Sequence, residues 1–180
     1  MNNRLQLSLT LDYELYGNGS GNVFDDVIEP TKQLLILCDK YNVKLTIFFE
    51  VVEYWKLEEE WLNGNNMGYA KNPAKAMQQQ IIDSYLKGHD VQLHIHPQWI
   101  NGKYKNNKWI LDNNWCMKDV PLKDNSFGID LYSLIKNGKE TIENILKPIN
   151  KNYKCNIFRA GGFNILPSER IFPILKKLDF

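Results

Sequence analysis

The chain's three histidines, His89, His94 and His96, fall within one stretch of eight residues. Such clustering points to a shared site. Positions two apart on a strand face the same side, so His94 and His96 can present both imidazoles to one point at a strand's C-terminal end. Imidazole is the commonest metal-ligand type, and this spacing offers two ligands from one short segment. A packed pair, with one ring against Trp99, accounts for the same residues without a metal. Asp12 and Glu14 repeat the spacing at the end of the first apolar segment. They can ligate a divalent metal, or one can take a proton from a metal-activated water. Helix capping or a loop ion pair is the alternative. The third candidate is the run Phe158-Arg159-Ala160-Gly161-Gly162-Phe163-Asn164. Arg159 can hold a carboxylate bidentately and fix its orientation, and Gly161 and Gly162 allow a tight turn and close approach to a ligand. A surface salt bridge ahead of a turn competes with that reading.

The elements that position these residues alternate. Residues 4–12 place Leu5, Leu7, Leu9 and Leu11 on one face and Gln6, Ser8 and Thr10 on the other, which predicts a strand. Asp12 and Glu14 continue its polar face, the expected interior or mouth of a barrel. A glycine-rich loop over 17–22 and a helix over 27–41 follow. Residues 44–50 (KLTIFFE) read as a buried strand, and residues 51–62 and 73–88 as helices. Pro73 is expected at a first turn and Gly88 at a C-cap. Residues 90–96 (DVQLHIH) read as a third strand. Residues 97–128, rich in Asn, Lys and Trp, show little periodicity and read as a long insertion loop of the kind that lines binding sites. Its Trp99, Tyr104, Trp109 and Trp115 either stack on a ligand or pack the loop down. A helix over 130–146, a strand over 156–159, a Gly-Gly turn and a helix over 167–178 complete the order.

Alternating strands and helices predict an α/β fold with a parallel sheet, and all three candidate segments fall at strand C-terminal ends, where ligands bind in such folds. The chain stops where a fifth strand of the alternation would begin, so a (β/α) barrel truncated after about four strands is expected. A length of 180 residues implies one domain, 1–180, with 97–128 inserted in it. Twenty-two Lys+Arg against 21 Asp+Glu leave a net charge of +1, without the basic excess of a nucleic-acid or anionic-membrane binder. The apolar runs are too short to insert in a membrane, and the N-terminus lacks a signal peptide's apolar core, which predicts a cytoplasmic location. Cys38, Cys116 and Cys155 have no CxxC spacing and read as core or near-core thiols.

Taken together with Thr46-Ile47-Phe48-Phe49, these segments resemble the polysaccharide deacetylase family, the NodB-homology fold or carbohydrate esterase family 4. The order is the family's: an acidic motif ending the first strand (Leu9-Thr10-Leu11-Asp12-Tyr13-Glu14), a "TFF"-like second strand, a junction leading into histidines (Gly88-His89-Asp90-Val91-Gln92-Leu93-His94), and an Arg-containing motif (Phe158-Arg159-Ala160-Gly161-Gly162). The resemblance spans nearly the whole chain. It implies a distorted (β/α) barrel that removes acetyl groups from N- or O-acetylated sugars with a divalent metal, zinc or else cobalt, nickel or manganese. Asp12 matches the family's base, Arg159 the arginine that orients it, and His94 the first metal histidine. The family's second aspartate position holds Tyr13, and its second metal histidine falls on Gln98. The metal set implied here is therefore His94 and His96 with one of Asp12 or Glu14, and Glu14 is assigned because Asp12 matches the base. Tyr13, Gln98, Trp99, Gly161 and Gly162 are expected at the substrate. The family's acid histidine would lie beyond residue 180. Competing readings are a non-catalytic carbohydrate-binding module, a relative acting on a non-sugar amide, and an amidohydrolase-type barrel, which carries HxH on its first strand rather than its third.

Overall fold

The computed structural model of the chain describes residues 6–123, 129–163 and 165–180. Among them, strands β1 (Leu9–Tyr13), β2 (Leu45–Glu50), β3 (Asp90–Ile95) and β6 (Phe158–Ala160) form one curled parallel sheet in the order β1-β2-β3-β6, a half-barrel with helices packed against it. The α/β alternation predicted a parallel sheet, and the pairing is parallel throughout. Register assigns the faces. Asp12 pairs Phe48, which pairs Gln92, and Glu50 pairs His94, which pairs Arg159. Paired residues of a parallel sheet point the same way, so Asp12, Phe48, Glu50, Gln92, His94 and Arg159 share one face. The opposite face carries Tyr13, Ile47, Phe49, Val91, Leu93 and Ile95, all buried beneath the helices. Each such side chain contributes about 1.5–3 kcal/mol on burial.

Three of the helices start where a side chain takes up a free amide. Glu50 caps α2 (Val51–Leu62), Asn72 caps α3 (Pro73–Leu86) and Asp130 caps α4 (Leu131–Leu146). The helix expected over 27–41 is longer at its start: Asn22 caps a π-helical turn, Val23–Ile28, that runs into α1 (Glu29–Lys40). Gly88 ends the α3 segment at φ +85°, a conformation glycine adopts without strain. α4 buries Leu131, Leu134, Ile135, Ile142 and Leu146, and Gly138 lets it approach β3 so closely that a Cβ there would stand 2.9 Å from Leu93.

Four expectations are corrected. The first strand begins at Leu9, not at residue 4, because β2 starts at Leu45 and offers no partner upstream; Arg4 and Leu5 lie outside the described residues, and Leu7 is 82% exposed. The 97–128 segment is not wholly irregular. It holds a 3-10 turn (Pro97–Trp99) and an antiparallel hairpin of β4 (Lys103–Lys105) and β5 (Lys108–Ile110). Its two-residue turn, Asn106-Asn107, has φ of +52° and +59°, the conformation a hairpin of this length demands and asparagine tolerates. The strand expected over 156–159 is Phe158–Ala160, since Asn156 and Ile157 give their N–H groups to the Gln92 side chain instead of a neighbouring strand. The last helix is broken into a turn at Ser168–Arg170 and α5 (Phe172–Lys177), because Pro173 has no N–H and can sit only in a first turn. Cys38 and Cys155 are buried free thiols and Cys116 is half-buried, as read from their spacing. Among the described residues no helix is long and apolar enough to cross a membrane.

Candidate metal centre

At the C-terminal ends of β1 and β3, one atom each from Glu14, His94 and His96 lies within 4.8 Å of the others. Glu14 Oε2 stands 3.4 Å from His94 Nε2 and 3.0 Å from His96 Nε2. A tetrahedral ion with bonds of about 2 Å spaces its ligand atoms about 3.3 Å apart, so this separation suits a small divalent cation. His94 is oriented for the purpose. Its Nδ1 lies 2.9 Å from the Arg159 carbonyl oxygen, which can only accept, so Nδ1 carries the proton and Nε2 keeps its lone pair. That Nε2 is buried and has no hydrogen-bond partner. A buried nitrogen left unpaired is costly, and here it faces Glu14 and, at 4.0 Å, Asp12 Oδ2. A cation between them would satisfy all three, so these residues fit a metal.

Charge at the site is tightly coupled. Burial pushes the Glu14 carboxyl up, but the neighbouring His94 and His96 imidazoles outweigh it and hold Glu14 at about 2. Burial pulls His96 down, but its hydrogen bond to Glu14 and the charges of Glu14 and Glu50 raise it above the usual 6.5. When His96 is protonated, its Nε2 donates to Glu14 Oε2 at 3.0 Å.

Asp12 sits beside this cluster with its side chain 35% exposed, against 1% for His94. Arg159 Nη1 donates to Asp12 Oδ1 and Arg159 Nη2 donates to Thr10 Oγ1 at 3.1 Å. The guanidinium carbon lies over the Phe48 ring, 3.8 Å from its centroid, a cation–π contact that helps hold it in place. Asp12 Oδ2 is thus the oxygen left facing the histidines. A cleft of about 150 Å³ opens at the edge of β1 beside Asp12 and Glu14, walled by Leu11, Val27, Pro30 and Leu34. A larger cavity of about 500 Å³ between α1 and α3 contains none of the candidate residues.

The remaining sequence candidates separate clearly. Gly161 is buried against His96: a Cβ there would meet the imidazole at 2.4 to 2.5 Å. Gly162 is exposed, at φ +61°, and completes the turn. Tyr13 alternates to the opposite face, where its ring stacks on Phe49 and its hydroxyl donates to Gln80 on α3 at 2.6 Å. Trp99 is 2% exposed with its ring edge-on to Trp109, so of the two roles open to it, packing is the one its contacts fill. Gln98 takes the Asp112 N–H on its backbone carbonyl, and its buried Oε1 has no partner. His89 does not join the other histidines. It precedes β3, about 17 Å away by strand rise, and takes the Leu45 N–H at 3.1 Å while its Nε2 faces Asp39 at 3.3 Å.

Sequence reasoning passed over Phe48 as the platform for Arg159, and over Glu50 and Glu53, both fully buried. A signal for the two acids was present: glutamates at i and i+3 interrupt the otherwise apolar run Ile47 to Val52 and its continuation. Comparison of the chain with family models, curated proteins and solved structures finds no match.

Proposed function

We propose that the protein is a metal-dependent hydrolase that removes the acetyl group from an N-acetylated sugar, with Glu14, His94 and His96 holding a zinc-type divalent cation and Asp12 as general base. The observation that carries this reading is the buried, unpartnered Nε2 of His94, aimed at Glu14 with Asp12 alongside. The sugar substrate rests on the resemblance to polysaccharide deacetylases, whose motif order the chain shares. When bound, such a cation supplies Lewis acidity toward the acetyl carbonyl and makes water a stronger acid.

The chain's own residues would then act as follows. Arg159 holds one Asp12 oxygen and so turns the other toward the reacting water, whose proton it accepts. Oxygen adds to the acetyl carbon, the C–N bond breaks, and acetate leaves; the proton on Asp12 is available to the departing amine. Asp12 and Arg159 are the most exposed members of the site, at 35% and 28%, which leaves the substrate side open.

Elemental analysis of folded protein should find about one divalent metal per chain, lost in His94→Ala and in His96→Ala. Asp12→Asn should keep the metal and lose turnover of N-acetylated sugars by a factor of about 10² to 10⁴. Folded protein without metal would overturn the assignment. Sugar binding that persists in all three variants would replace it with a carbohydrate-binding module.

A further inference from the structure

Two carboxyl groups lie directly behind the candidate ligands and take no part in holding a cation. Glu50 ends β2 and Glu53 lies one turn later in α2; neither is exposed at all. Glu50 Oε1 accepts the backbone N–H of His96 at 2.6 Å, and its Oε2 accepts the backbone N–H of Glu53. Glu53 Oε2 accepts the backbone N–H of Leu15 at 2.9 Å, and its Oε1 is buried without a partner. The contacts therefore run from one turn of chain in two directions: to His96 at the end of β3, and to the residue after Glu14 at the end of β1.

β2 lies between β1 and β3 in the sheet. A side chain on it is in place to set the distance between their ends. Helix capping alone does not account for the pair. A cap needs one acceptor within its own turn, whereas Glu50 uses its second oxygen on a different strand and Glu53 reaches the β1 loop. We propose that Glu50 and Glu53 are positioning residues of the metal site, together fixing the separation of His96 from Glu14. This rests on the metal reading above.

The two acids make different demands on a substitute. Both Glu50 oxygens accept from N–H groups, so the amide nitrogen of Glu50→Gln meets a donor with a donor. Glu53 uses one oxygen, so Glu53→Gln keeps its acceptor, whereas Glu53→Leu preserves the bulk and loses it. Removing groups that orient ligands from behind costs about 10- to 100-fold in metal affinity.

The test is competition titration of Zn²⁺ and the visible absorption of Co²⁺ in each variant, with amide hydrogen exchange at His96 and Leu15 in the metal-free protein. Glu50→Gln should bind Zn²⁺ about 10- to 100-fold more weakly, with an altered Co²⁺ spectrum and faster exchange at His96. Glu53→Leu should do the same with faster exchange at Leu15, and Glu53→Gln should restore wild-type values. Wild-type affinity, spectrum and exchange in both Glu50→Gln and Glu53→Leu would overturn the proposal while leaving the metal site standing. A wild-type protein that binds no metal would overturn both. Should Glu50→Gln fail to fold, the Glu53→Leu and Glu53→Gln pair decides.

Discussion

A methyl group added at Gly161 would stand 2.4 to 2.5 Å from three atoms of the His96 ring, well inside van der Waals contact. Gly161 and His96 lie at the C-terminal ends of neighbouring strands, so neither backbone yields easily, and the ring must turn. Gly161→Ala is therefore expected to weaken metal binding by about tenfold or more while leaving the fold intact, as read by calorimetric titration beside circular dichroism. Wild-type affinity would show that His96 has room to spare. At this scale much of the site was legible in advance. Residues two apart on a strand share a face, which brings His94 to His96 and Asp12 to Glu14. The same alternation sends Tyr13 to the helices, where it bonds Gln80. The partners of His89, Glu50 and Glu53 were not legible, because each takes a backbone N–H from another part of the chain and nothing in local spacing encodes it.

Between elements, α4 approaches β3 closely at Gly138. A Cβ there would stand 2.9 Å from Leu93 Cδ1 and 3.1 Å from Val51 Cγ2, both on fully buried residues. Replacing Gly138 by Ala gains about 1 kcal/mol of helix propensity but overpacks the core at a cost of about 1–3 kcal/mol. The overpacking wins, and Gly138→Ala should lower stability by about 1 kcal/mol in denaturant unfolding; a stabilised variant would mean that Leu93 can repack freely. Because β3 carries His94, metal affinity should fall with it. Element type and order were readable from periodicity and caps, as in α2 and α3. Boundaries were less so: β1 begins only where β2 gives it a partner, and α5 only where Pro173 permits.

Across the whole molecule, the site couples stability to pH through its charges. His96 is raised above 6.5, so its contribution in the metal-free protein is complete below about 6.5 and is lost as pH climbs through the raised value. Glu14 is lowered from 4.5 to about 2, so its share is complete above about 4.5 and is lost as pH falls toward 2. Their pairing therefore stabilises the metal-free chain most between about pH 4.5 and 6.5. The gap in Tm between wild type and His96→Gln in chelator should be widest there and close as pH rises. Metal-induced stabilisation should run the other way, growing from pH 6 to pH 8 as the proton on His96 ceases to compete. A Tm gap independent of pH would show that the two groups do not pair. Burial also pushes Glu50 up to about 8 against the pull of the His96 charge, so the comparison with His96→Gln includes the further rise of Glu50 in the variant. By itself the sequence determined the α/β alternation, the parallel sheet and the placing of the chemical residues at strand ends, because helix and strand periodicities and caps act over a few neighbouring residues. Only the tertiary structure decided that β1, β2, β3 and β6 stand side by side. With that order came Glu14 beside two histidines some 80 residues away, and the two acids of β2 and α2 behind them. Those contacts depend on register between distant strands, which is set by the packing of the whole sheet.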